Sequence, residues 1–219
     1  MRILDPEAHA RVRVRILDAA RRQFAAKGYH AASMNEVARS AGLAKAALYH
    51  YFKGKRAMLQ ALHEGLFSGA EAMLARAPRF SGLAEALDYL GRSYLTHFKQ
   101  PGPAEVMRIA LNVSSEDPDL LRLSTGVVQP RMEALMDAFL KPYFPKASSR
   151  GRAWKHLLPF FGGLFYYQFV LRSTCSSSQL PGEEDYLAHL VGVFSAPQGQ
   201  KRVTAGSVPK GKRRGRKPS

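Results

Sequence analysis

Residues 33–52 read SMNEVARSAGLAKAALYHYF, and their punctuation is that of two short helices on a tight turn. Ser33 is followed three positions on by Glu36, a capping box in which the serine oxygen and the glutamate carboxylate satisfy each other's free backbone amides. This predicts a helix over Met34–Ser40 with Met34, Val37 and Ala38 facing inward. Ala41-Gly42-Leu43 supplies the turn, because glycine takes a backbone conformation that a side chain resists. A second helix follows from Ala44 to Tyr51, burying Leu48 and Phe52 and leaving Lys45, Tyr49 and His50 outward. Two helices so joined form a helix-turn-helix, the geometry that lays the second helix in the major groove of DNA.

Working outward, residues 1–9 lack periodicity and read as a flexible arm. Val12, Ile16, Leu17, Ala20 and Phe24 then recur at helical spacing, predicting a helix from Ala10 to Lys27 that Gly28 ends. Its remaining surface carries Arg11, Arg13, Arg15, Arg21 and Arg22, placed to reach phosphates beside a helix-turn-helix. Downstream, an amphipathic helix is expected to run from Lys55 through Met58, Leu62, Leu66 and Met73 to Ala77, stopped by Pro78.

The segments Ile16-Leu17-Asp18-Ala19-Ala20, Phe24-Ala25-Ala26-Lys27-Gly28-Tyr29, Ala41-Gly42-Leu43-Ala44-Lys45 and Leu48-Tyr49-His50-Tyr51-Phe52-Lys53-Gly54-Lys55 follow one another around the capped helix. In this order and spacing, residues 15–64 resemble the DNA-binding domain of the TetR family of bacterial transcriptional regulators. The resemblance implies that Lys45 meets a base edge and that the methyls of Ala46 and Ala47 meet thymine methyls. Ser33, Tyr49, His50, Lys53 and Lys55 complete the expected DNA-binding set, mostly on phosphates. The chain departs from the family at Ala44, where a Ser or Thr usually caps the recognition helix, and at Ala46-Ala47, where Gly-Thr is frequent. Losing a hydroxyl cap costs about 1 kcal/mol of helix stability.

Residues 81–196 read as helix throughout. Ser81–Gln100 is amphipathic and ends at Pro101-Gly102-Pro103; Ala104–Ser115 follows, then a helix from Leu120 to about Tyr143 bent at Pro130. Arg152–Arg172 is aromatic and contains Pro159, at which it either kinks or begins, and Glu183–Ser195 closes the fold. This part is similar to the family's variable ligand-binding and dimerisation domain. The resemblance implies a small-molecule effector bound among these helices, for which Met107, Leu111, Phe161, Phe165 and Tyr166 are the candidate lining residues. It also implies a homodimer paired through Gly162, Gly163, Phe169, Leu187 and Leu190. The glycines would permit close helix approach; the other reading is a monomer core, where aromatics at helical spacing also belong.

The net charge of +16 over 219 residues sits at the two ends. Residues 1–56 carry 12 Lys/Arg against 4 Asp/Glu, the middle is neutral, and residues 197–219 carry 8 Lys/Arg and no acid. A neutral body with basic ends suggests a polyanion met by the ends. Residues 197–219 have the composition of a disordered tail. Within them Arg214-Gly215-Arg216 resembles the core of an AT-hook, with minor-groove insertion and simple phosphate binding as its two readings.

No phosphate loop, dinucleotide fingerprint, serine elbow or metal-spaced His/Cys pair is present in the sequence, so no enzyme, cofactor or metal site is expected. One cysteine and no long apolar run point to the cytoplasm and away from membranes. The expected fold is all-α: an arm over 1–9, a three-helix DNA-binding domain over 10–56, a larger helical ligand-binding and dimerisation domain over 57–196, and a tail. The expected function is a dimeric repressor that binds a near-palindromic double-stranded operator and is released by an effector. The alternative is a nucleoid-type architectural protein that holds DNA broadly through its basic ends.

Overall fold

The structure is a computed structural model that describes residues 5–144 and 152–196; the tail with Arg214 and Arg216 lies outside the described residues. Every regular element among the described residues is helical. They are α1 (Pro6–Lys27), α2 (Met34–Ser40), α3 (Lys45–Tyr51), α4 (Lys55–Gly65), α5 (Ala70–Ala75) and α6 (Leu83–Lys99), then α7 (Pro101–Glu116) and α8 (Pro118–Leu140). A 3-10 turn (Lys141–Tyr143) follows α8, and α9 (Arg152–Phe165) continues through a π-helical stretch (Tyr166–Leu171) into α10 (Arg172–Thr174). The last element is α11 (Glu183–Ser195).

Local chemistry sets most boundaries. The capping box at α2 is complete, with the Ser33 amide on Glu36 Oε2 at 3.0 Å and the Glu36 amide on Ser33 Oγ at 3.3 Å. Gly28 and Gly42 take φ of +83° and +64°, the left-handed region that a side chain resists. The Lys27 ammonium, Ser33 amide and Ser33 hydroxyl hold the Glu36 carboxyl down to about 2 from a usual 4.5, so the box contributes stability above about pH 4.5 and loses it as pH falls through about 2. Carboxylate NMR titration should show Glu36 among the last acids to protonate, and a midpoint near 4.5 would contradict the box.

Three boundaries differ from the sequence reading, and a fourth point, left open there, is decided. The first helix starts at Pro6 rather than Ala10, because Asp5 Oδ1 accepts the Glu7 amide at 3.0 Å and Pro6 sits in the first turn. Residues 6–9 of the supposed arm are therefore helix. The helix expected over 55–77 breaks between Gly65 and Ala70, where the Leu66, Phe67 and Ser68 amides reach back only three residues and Ser68 Oγ donates to Gly65 O at 3.0 Å. Pro101 ends α6 and also opens α7, where its missing N–H costs nothing. Pro159 lies inside α9 rather than at its start.

The buried side chains form two clusters. One joins Ile16, Ala20 and Phe24 of α1, Val37 of α2, Leu48 of α3 and Met58 and Leu62 of α4 to Phe98 of α6 and Val106, Ile109 and Val113 of α7. The helix-turn-helix thus shares its core with α7. The second unites Leu87, Leu90 and Leu95 of α6 with Met136, Leu140, Leu157, Phe160, Leu164, Leu187 and Leu190.

Candidate nucleic-acid interface

The second helix of the motif, α3, has one fully buried residue, Leu48, at 0% exposure. Anchored there, it presents Lys45, Ala46, Tyr49 and His50 to solvent, while Ala47 is half-buried. Lys53 is exposed just beyond it. Among the described residues Lys45, Lys53 and Arg15 carry no ion pair, so their charge is available to an anion. Ala44 caps α3 without a side-chain hydrogen bond, in an extended conformation (φ −67°, ψ 147°) that suits serine. Ala44→Ser is therefore expected to stabilise the fold by about 0.5–2 kcal/mol and to tighten DNA binding, checked by thermal melting and gel shift.

Several expected phosphate ligands are engaged within the protein. Lys55 Nζ donates to the carbonyls of Tyr29 and His30, each at 2.8 Å, and lies 5.0 Å from the centre of the Tyr29 ring. It ties the start of α4 to the loop after α1, because the carbonyls released where α1 ends need a donor. The Ser33 hydroxyl is used in the capping box. Of the α1 arginines, Arg11 pairs with Asp5 at 3.5 Å and Glu7 at 3.3 Å, and Arg13 lies 4.5 Å over the Phe52 ring. Arg22 pairs with Asp18, and Arg21 with Asp18 and Glu105. Sequence reasoning missed His9, which stacks on Tyr51 at 4.6 Å and fixes the start of α1 against the end of α3. The signal is an aromatic-sized side chain on a stretch that lacks apolar periodicity.

Residues 16–62, which hold α2 and α3, match the family profile described as bacterial regulatory proteins, tetR family. These residues are thus a TetR-family DNA-binding domain. The transcriptional regulator UidR of Escherichia coli is 37% identical over 87 residues, which cover 39% of this chain and 43% of UidR. The transcriptional repressor Rv1474c of Mycobacterium tuberculosis is 34% identical over 96 residues, covering 37% of this chain and 51% of that protein. The matches thus span about half the length of these relatives or less. A solved structure of the fatty acid degradation regulator FadR from Bacillus halodurans superposes with a TM-score of 0.65 at 18% identity, covering 87% of this chain and 97% of that one. That likeness extends the TetR-family fold through α11.

Beyond the TetR-family head, the helical body holds an open cleft of about 910 Å³ along α6, lined by Met73, Phe80, Tyr89, Arg92, His97 and Val191 among others. None of the five residues expected to bind an effector lines it. Met107 packs on the first core, Leu111 is 42% exposed and Tyr166 is 50% exposed. Phe161 sits between Tyr94 and Phe160, and Phe165 lies 5.0 Å from Phe169. The cleft draws its walls from α5, α6 and α11, which only tertiary packing brings together.

Four of the five expected dimer residues are used inside the chain. Leu187 is 1% exposed and lies over Gly91, where an added Cβ would fall 2.3 Å from its Cδ1. Gly163 receives Leu190 of α11, whose Cδ2 would be 2.8 Å from a Cβ there. The close approach that the glycine permits is thus made by a helix of the same chain. Phe169 is half-buried, 5.4 Å from Phe98. Gly162 remains exposed, as do Leu158 and Tyr166 four residues to either side of it and Val193 of α11, each about half exposed.

No helix among the described residues is long and apolar enough to cross a membrane, and no cluster of His, Cys, Asp or Glu among them has the makings of a metal site.

Proposed function

We propose that this chain is a dimeric, ligand-responsive transcriptional regulator acting as a repressor without catalytic activity, with residues 10–56 as reading head and 57–196 as effector and dimerisation body. The observation that carries the reading is α3: a helix pinned by Leu48 that turns Lys45, Ala46, Tyr49 and His50 outward from a TetR-family head. Two such helices, one per subunit, would enter successive major grooves of a near-palindromic operator. Lys45 would read a base edge, while Tyr49, His50 and Lys53 would hold phosphates. The second subunit would pack on the face formed by Leu158, Gly162, Tyr166 and Val193. A small molecule in the α6 cleft would release DNA only by binding one conformation of the body better than the other.

The basic ends keep the second reading in play, that of an architectural protein binding DNA broadly. Competition gel shifts against random DNA in rising salt separate the two. A regulator retains a preferred sequence after salt has removed nonspecific binding, and loss of all preference would favour the architectural reading. Residues 197–219 add 8 cations to either protein. Deleting them is expected to weaken binding and flatten its dependence on salt concentration; an unchanged slope would take the tail out of the account.

A further inference from the structure

Arg21 and Glu105 belong to opposite sides of the molecule in sequence, one on the reading head and one on the body, yet their side chains meet in an ion pair. Arg21 also binds Asp18 one turn back on α1, at 2.5 Å. The guanidinium is only 19% exposed and its two acids 43% and 31%, so a planar fork is shared between partners under partial shelter from solvent. This pair lies where α7 packs on α1, and the apolar side of the same contact is the shared cluster of Ile16, Ala20 and Phe24 with Val106, Ile109 and Val113.

Apolar packing is non-directional and lets two helices slide or rotate by small amounts, whereas a forked ion pair accepts one geometry. The pair therefore supplies what the surrounding core does not. We propose that Arg21 and Glu105 are positioning residues that fix the orientation of the reading head on the body. Asp18 pre-orients the guanidinium from within α1 and is not itself part of the link between the two parts. The functional consequence rests on the DNA-binding reading above: a head free to rock on α7 spends less time at the spacing that fits an operator.

The contrast between the two acids gives the test, since both neighbour the same arginine but only Glu105 crosses to the body. Spin labels on Ser40→Cys and Ala138→Cys, in a Cys175→Ser background diluted with unlabelled protein, report the distance between head and body without any DNA. Glu105→Gln and Arg21→Lys are expected to broaden that distance distribution, the lysine because a point charge cannot serve both acids, while Asp18→Asn leaves it at its original width. Thermal melting of each variant confirms that the fold is retained. With an operator in hand, Glu105→Gln should also weaken binding about five- to tenfold. A distribution of unchanged width in Glu105→Gln, or equal broadening in Asp18→Asn, would overturn the proposal. The distance arm decides this whether or not an operator exists, so failure of the DNA-binding reading shows up separately, as the absence of any preferred sequence.

Discussion

Leu48→Ala is expected to lose about 2–5 kcal/mol of stability and, with it, measurable operator binding. Leu48 is the one buried residue of a seven-residue helix that has no capping side chain. A helix this short does not hold itself together in water, so its place in the fold depends on what it buries. Removing the side chain leaves a cavity under α3 and frees the surface that carries Lys45, Tyr49 and His50. Chemical denaturation measures the first effect and gel shift the second. A variant that melts normally and still binds would mean that α3 is held by the turn at Gly42 and by Phe52 alone.

Phe98→Ala should cost about 3–5 kcal/mol, although Phe98 lies on α6, far along the chain from the helix-turn-helix. Its ring is 2% exposed, 4.7 Å from Tyr94 and 5.4 Å from Phe169, and it belongs to the cluster that contains Ile16, Leu48 and Leu62. Because the reading head and the body share that cluster, the loss should appear as one cooperative unfolding transition at lower denaturant, not as a separate early melting of the head. Two resolved transitions would show that the two parts fold independently.

The helix-turn-helix was legible because its signals are local: a serine with a glutamate three residues on, a glycine in the turn and apolar residues at helical spacing. The start of α1 was also written in the sequence, as Asp5-Pro6-Glu7, but it lacks apolar periodicity and so was read as an arm. The break after Gly65 shows the opposite error, for the apolar spacing continues across residues 65–70 while two glycines and a serine interrupt the backbone. By type and position, Lys55, Leu187 and Leu190 suit outward-facing roles. Their actual partners, two carbonyls after α1 for Lys55 and Gly91 and Gly163 for the leucines, come from distant parts of the chain. No spacing rule reports such contacts, and the α6 cleft was invisible for the same reason.

Whether α3 reads DNA sequence for a two-fold assembly is decided by selecting bound fragments from random DNA at elevated salt and sequencing them, for the full chain and for Lys45→Ala. The expected result is an inverted repeat with half-sites about one helical turn apart. Lys45→Ala is expected to change or erase the preference at one position in each half. Fragments without a common sequence, or a motif that Lys45→Ala leaves untouched at every position, would contradict sequence reading by α3.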